Sequence, residues 1–76
     1  MDLVSHGHKA LNKILGANLR KHRASLGLSQ DEFAERCQLH RTYIGAIERG
    51  ERNLTLATLD RVAEALKVHP LDLLKE

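Results

Sequence analysis

Apolar residues recur three and four positions apart along most of this chain, and that spacing constrains the fold more than any other feature. The first such stripe consists of Leu11, Ile14, Leu15, Leu19 and Leu26. Spacings of three and four place side chains on one face of an α-helix, whereas a half-buried strand would alternate at every second residue. No stretch of the sequence alternates in that way. The pattern predicts an all-α fold.

Short polar signals divide the helical pattern into segments. Gly27 suits the left-handed residue that commonly ends a helix. Ser29 and Glu32 have the spacing of a capping box, in which each side chain binds the backbone of the other residue. A second helix is therefore predicted from Gln30 to about Cys37.

A third helix is predicted to begin at Arg41. Ile44 and Ile47 repeat at helical spacing, and Gly50 supplies a stop. Only residues 38–40 separate this helix from the second one. Two helices joined by so short a turn are typical of the helix-turn-helix, whose second helix commonly enters the DNA major groove.

The remaining residues predict two further helices. Thr55 offers a cap for a fourth helix, whose apolar stripe consists of Leu56, Leu59, Val62, Ala63 and Leu66. Pro70 suits the first position of a short fifth helix. We therefore expect a five-helix domain over residues 11–76, preceded by a flexible extension over residues 1–10, where periodicity is weak.

The small size of the chain raises the question of what supports its core. A chain of 76 residues buries only about 60% of the surface that it exposes when unfolded. The single cysteine, Cys37, cannot form an internal disulfide, and its place in the pattern indicates a core residue rather than a redox sensor. His6 and His8 lack the partners that would complete a metal site. The sequence thus predicts no metal and no cofactor, and it favours self-association.

Charge is distributed unevenly along the chain. The net charge is only +2, but residues 1–30 carry a local +4 and residues 54–76 a local −1. This asymmetry permits a polyanionic partner on one side. No apolar run approaches a membrane span or a signal-peptide core, so we expect a cytoplasmic, nucleoid-associated protein that contacts no membrane. No nucleophile elbow, phosphate-binding glycine loop or carboxylate pair is present, and we expect no enzymatic activity.

The outer face of the predicted third helix carries an unusual set of side chains. It combines two guanidinium groups, one hydroxyl and two very small residues, and it consists of Arg41, Thr42, Gly45, Ala46 and Arg49. Glycine inside a helix costs about 1 kcal/mol relative to alanine. One interpretation is that Gly45 and Ala46 let the backbone approach a flat target; the other is an ordinary exposed helix.

Three motifs in this order resemble the Cro/CI-type helix-turn-helix family, also called XRE-like. They are Leu-Ser-Gln-Asp-Glu-Phe-Ala at 28–34, Tyr-Ile-Gly-Ala-Ile-Glu-Arg-Gly at 43–50, and Arg-Asn-Leu at 52–54. The resemblance extends from Leu15 to Leu74 and is similar in detail to restriction–modification controller proteins. It implies a lambda-repressor-like domain and a homodimeric, sequence-specific transcriptional regulator that binds double-stranded DNA at a roughly palindromic operator.

The resemblance also implies roles for individual residues. The third helix would read bases through Arg41, Thr42 and Ala46, because arginine can donate two parallel hydrogen bonds to guanine. Contacts to phosphate or to the groove edge would come from Gln30, Arg23, Tyr43, Arg49, Arg52 and Asn53. Arg23 and Glu48 would form a partly buried ion pair, and Gln30 would also brace the third helix.

Two positions depart from the family pattern. Gln38 stands where the turn often has glycine, so we expect it to adopt a left-handed conformation. His40 stands at the cap of the third helix, where Ser, Thr, Asp or Asn is usual. Its imidazole could contact phosphate when protonated, or lie in solvent, and we favour solvent.

Self-association is expected at the C-terminal end, through Leu66, Val68, Leu71 and Leu74. The alternative to a DNA-binding regulator is a protein-interaction module, such as an antitoxin or adaptor with the same fold.

Overall fold

Four α-helices and one 3₁₀ helix make up the computed structural model, which describes the backbone of residues 3–76 and the side chains from residue 10 onward. The α-helices are α1 (Leu3–Ser25), α2 (Gln30–Cys37), α3 (Arg41–Glu48) and α4 (Leu56–Leu66). The 3₁₀ helix covers Pro70–Leu74. The described residues contain no strand, as the apolar spacing predicted.

The prediction of a fifth α-helix is wrong, because the chain forms a 3₁₀ helix after Pro70. Its five residues, Pro70–Leu74, are too few for a regular α-helix with several internal hydrogen bonds. Helix α1 begins at Leu3, eight residues before the start that the apolar stripe indicated. The independent flexibility of residues 1–10 stays a prediction.

The predicted capping box at the start of α2 is confirmed. The backbone N–H of Glu32 donates to Ser29 Oγ at 3.0 Å, and the N–H of Ser29 donates to Glu32 Oε1 at 2.8 Å. The hydrogen bond from the Ser29 backbone lowers the pKa of Glu32. These bonds satisfy backbone donors that have no partner within the helix, and they fix where α2 begins.

One core joins all five elements. Its fully buried side chains come from every helix and are Leu19, Phe33, Ile44, Val62 and Leu73. Leu15, Ala34, Cys37, Ile47, Leu59, Ala63 and Leu66 complete the cluster. Eight of these twelve residues belong to the predicted stripes. Leu11 and Leu26, which begin and end the first stripe, are instead exposed.

All four α-helices end at a left-handed residue, and only two of these residues are glycines. The residues are Gly27, Gln38, Gly50 and Lys67, with φ between 58° and 75°. In each case the following N–H donates to the carbonyl five residues back, as Leu28 does to Arg23 and Leu39 to Ala34. The expected left-handed conformation of Gln38 is confirmed, whereas no residue pattern indicated one at Lys67.

At Gly16, the backbone of α1 packs directly against the backbone at the C-terminal end of α3. A Cβ atom at this position would collide with the carbonyl oxygen of Ile47 and would lie 2.7 Å from that of Glu48. Both oxygens belong to the backbone of α3, so no side-chain rotation could relieve the clash. Gly16 therefore sets the distance between α1 and α3.

No helix within the described part of the chain is both long enough and apolar enough to cross a membrane.

Candidate nucleic-acid interface

Helix α3 is fixed by one face and exposes the other. Ile44 and Ile47 are buried in the core, while Arg41 and Thr42 at its start are exposed. Residues 38–40 form the three-residue turn from α2, as predicted. The exposed start of α3 is therefore held rigidly by the inner face of the same helix.

A polar network ties α3 to α1 and α2. Glu48 accepts hydrogen bonds from Arg23 Nε at 2.6 Å, from Arg23 Nη2 at 3.0 Å and from Gln30 Nε2 at 3.0 Å. Arg23 Nη1 also donates to the Leu28 carbonyl oxygen at 2.7 Å. The side chains of Arg23 and Glu48 are only 13% and 5% exposed, so the pair is largely removed from water.

The chemistry of this pair explains its geometry. A planar guanidinium can donate two parallel hydrogen bonds to a carboxylate, which fixes orientation as well as distance. The hydrogen bond to Glu48 raises the pKa of Arg23, so the arginine stays charged. The network thus holds three helices in one relative orientation, and Gln30 takes the bracing position that the resemblance implied.

A shallow concavity lies along the exposed side of α3. It is lined by His40, Thr42, Tyr43, Ala46 and Arg52. Two of the predicted base-reading residues, Thr42 and Ala46, therefore share one surface. Arg41 is exposed nearby in sequence, and its Nε lies 3.5 Å from an Asp31 carboxylate oxygen, which is a weak surface contact.

Gly45 does not lie where the sequence placed it. It was expected on the outer face with Ala46, but the residue is buried beneath side chains from α2 and from the end of α3. A Cβ at this position would lie 3.1 Å from Arg49 Nη1 and 3.7 Å from Gln30 Oε1. The backbone of Gly45 is therefore covered rather than offered to a flat partner.

Tyr43 and Arg52 form a second positioned pair beside α3. The Arg52 guanidinium carbon lies 4.8 Å from the centre of the Tyr43 ring, within the range of a cation–π interaction. Arg49 pairs instead with Glu51, at 3.0 Å between Nε and Oε1. The two arginines near the end of α3, Arg49 and Arg52, are thus each held by a neighbouring side chain.

Asn53 is connected to α1 through an asparagine that sequence reasoning missed. Asn12 Nδ2 donates to Asn53 Oδ1 at 2.8 Å. The acceptor oxygen of Asn53 is thereby occupied, which orients the Asn53 amide nitrogen as a donor toward other groups. No local signal marks Asn12, because the contact joins residues 41 positions apart.

His40 has a role that the sequence did not predict. Its Nδ1 accepts a hydrogen bond from the Thr42 backbone N–H at 3.1 Å, so the imidazole itself caps α3. The residue is exposed, as expected, but its capping role was not predicted. His69 caps the 3₁₀ helix in the same way, accepting from the Leu71 N–H at 3.1 Å.

The residues expected at a dimer surface divide into two groups. Leu66 belongs to the core and is only 3% exposed, so its assignment to a dimer surface is wrong. Leu71 is 60% exposed, and Val68 and Leu74 are half-buried. The sequence missed Leu56, which is 84% exposed and lines an apolar groove with Leu11 and Leu74.

Cys37 lies in the core, as predicted. Burial raises the pKa of its thiol to about 11, so it stays protonated at neutral pH. His6 and His8 lie outside the residues whose side chains the structure describes.

A short helix pair with a braced second helix and an exposed, basic first turn defines a helix-turn-helix protein. The chain belongs to the helix-turn-helix family HTH_3, whose sequence model matches residues 19–73.

Three proteins with known names are similar to this chain in sequence or in structure. The chain is 52% identical to the control protein C.SmaI of Serratia marcescens over 56 residues, which is 74% of this chain and 67% of that protein. The restriction-modification controller protein C.AhdI from Aeromonas hydrophila has a similar structure, with a TM-score of 0.80, 39% identity and coverage of 84% and 97%. SinR, a master regulator for biofilm formation solved in complex with DNA, matches with a TM-score of 0.76, 29% identity and coverage of 80% and 98%. The resemblance to the helix-turn-helix family and to controller proteins is confirmed.

Proposed function

We propose that this protein is a sequence-specific, DNA-binding transcriptional regulator that acts as a homodimer on a roughly palindromic operator, without enzymatic activity. The observation that carries the proposal is the construction of α3. Its inner face is fixed by the core and by the Arg23–Glu48 pair, while Arg41, Thr42 and Ala46 remain on its accessible side. A helix held so firmly can enter a major groove without losing its orientation.

Base reading would depend on the first turn of α3. Arg41 can donate bidentate hydrogen bonds to guanine, which is worth about 1–3 kcal/mol of discrimination. Its ion pair with Asp31 is exposed and weak, so Arg41 can leave it to bind a base. The Thr42 methyl and Ala46 share the concavity beside α3, and apolar groups of this size suit a thymine methyl.

Contacts to phosphate would set the position of the domain on the duplex. Tyr43, Arg49, Arg52 and Asn53 lie near the ends of α3 and in the loop after it, and Arg23 and Gln30 lie on the helices that brace it. Because phosphate contacts carry no sequence information, losing one should weaken binding to all duplexes alike. On this proposal the protein works in the cytoplasm, associated with the nucleoid.

The dimer surface would combine the predicted C-terminal residues with the groove that the structure adds. Leu71 and Leu74 are one turn apart in a helix of three residues per turn, so they share one side of it. Leu74 also lines the groove with Leu11 and Leu56. We propose that a second copy of the chain covers these leucines, because none of them belongs to α3 and the base-reading residues stay accessible.

A protein-interaction module such as an antitoxin would use the same exposed leucines, and DNA titration separates the two functions. Binding to a mixed-sequence duplex should weaken steeply as salt is added. In a plot of log K against log salt concentration, each phosphate contact should contribute about −0.9 to the slope. Arg41→Ala should reduce sequence preference, and Asn53→Ala should weaken all duplexes equally. The absence of salt-dependent binding at low ionic strength would leave the interaction module as the better account.

A further inference from the structure

Gly45 occupies a position in α3 where neither helix propensity nor core packing calls for glycine. Glycine is among the poorest residues for a helix interior. Yet Gly45 is buried, and the atoms that cover it belong to the ends of two polar side chains, Gln30 and Arg49. The reason for the missing side chain should therefore be sought in those two residues.

Arg49 lies back along α3 and reaches the position that a side chain at residue 45 would occupy. Residues four apart are neighbours on one helix face. Arg49 Nη1 lies 3.1 Å from the position of a Cβ on residue 45, which is tighter than an ordinary contact. At the other side of the guanidinium, Nε pairs with Glu51 Oε1 at 3.0 Å. The guanidinium is thus held between a carboxylate and a glycine.

We propose that Gly45 is a positioning residue that acts through Arg49, and that the guanidinium placed across α3 donates to a DNA phosphate. Glu51 engages Nε, which leaves the four N–H groups of the two Nη nitrogens for the phosphate oxygens. A methyl group at residue 45 would crowd Nη1 and shift the guanidinium out of this position by a few tenths of an ångström. The inference rests on the proposed DNA-binding function, and it explains the glycine without direct contact between its backbone and DNA.

A double-mutant cycle separates these two explanations of the glycine. Gly45→Ala, Arg49→Ala and the double variant are compared with the wild-type chain for affinity to a mixed-sequence duplex at several salt concentrations. Thermal unfolding of each variant checks that it is folded. Arg36→Ala removes an exposed positive charge from α2 instead and serves as the charge-matched control.

We expect Gly45→Ala to be at least as stable as wild type, because only the flexible end of Arg49 must move. Arg49→Ala should weaken binding roughly tenfold and reduce the salt slope by about 0.9. Gly45→Ala should produce part of the same loss in the wild-type background, because it displaces the guanidinium, and no further loss in the Arg49→Ala background. Arg36→Ala should change affinity much less.

Two results would overturn the inference. If Gly45→Ala weakens binding equally in both backgrounds, the added methyl meets DNA directly and Arg49 is not the intermediary. If Gly45→Ala leaves affinity unchanged, the glycine has no role in binding. Failure of the proposed function would look different, because the wild-type chain itself would then show no salt-dependent binding.

Discussion

Gly16→Ala tests whether backbone contact between α1 and α3 sets the geometry of the domain. The new Cβ would lie 2.7 Å from the Glu48 carbonyl oxygen and closer still to that of Ile47, so the helices must separate by more than about 0.7 Å to reach an ordinary contact of 3.4 Å. Overpacking of this kind costs about 3 kcal/mol at the upper end of the usual range, which applies because backbone atoms cannot rotate away. Alanine returns about 1 kcal/mol in helix propensity.

The expected net loss is therefore about 2 kcal/mol, which corresponds to a decrease in Tm of about 8–16 °C for a domain of this size. Far-UV circular dichroism during heating and urea unfolding measures it. Gly45→Ala is the matched control, because it makes the same change inside a helix where only the flexible end of Arg49 lies in the way. If Gly16→Ala were as stable as wild type, the α1–α3 contact would not be the constraint that we describe.

The remaining predictions concern stability and the burial of Cys37. Glu48→Ala should lower the free energy of unfolding by about 3 kcal/mol, because it leaves the largely buried Arg23 without its partner. Urea unfolding measures this loss, and a loss below about 1 kcal/mol would mean that water replaces the carboxylate. Gln38→Gly should stabilise the domain by about 1 kcal/mol, because glycine adopts the left-handed conformation of residue 38 without strain. An unchanged or lower Tm would show that Gln38 is not strained. Cys37 should resist a thiol reagent at pH 8 until urea unfolds the chain, and prompt labelling would refute its burial. Because the pKa of the folded thiol is about 11 against about 9 when unfolded, its contribution to stability should be lost as pH rises from 9 to 11.

The parts of the fold that sequence could predict are those coded by short-range patterns. The capping box at Ser29, the left-handed end at Gly27 and the stripes of α3 and α4 all depend on residues within a few positions of one another. The same reasoning located the helix-turn-helix and the exposed start of α3.

What the sequence could not show depends on contacts between distant elements. Gly16 and Asn12 matter because α1 meets α3 and the loop after it, and no local pattern marks either residue. Leu66 and Leu56 illustrate a second limit. Both belong to one helical stripe, yet Leu66 is buried in the core and Leu56 is exposed, because the tertiary packing rather than the spacing decides which end of α4 is covered.

Gly45 and His40 show that residue type alone can mislead about a site. A glycine on a helix suggested a backbone approach to DNA, whereas its neighbours Arg49 and Gln30 cover it. A histidine in place of the usual cap suggested only a solvated side chain, whereas the exposed imidazole also caps the helix through Nδ1. In both cases the local geometry of surrounding side chains determined the role.

Selection of bound sequences from a random pool of duplex DNA tests the central claim most directly. A homodimeric reader of bases should enrich one roughly palindromic sequence with half-sites about one helical turn apart. Selection with Arg41→Ala should lose the enrichment at one base pair in each half-site. A pool that remains random after selection with the wild-type chain, or an enriched site without two-fold symmetry, would contradict the account.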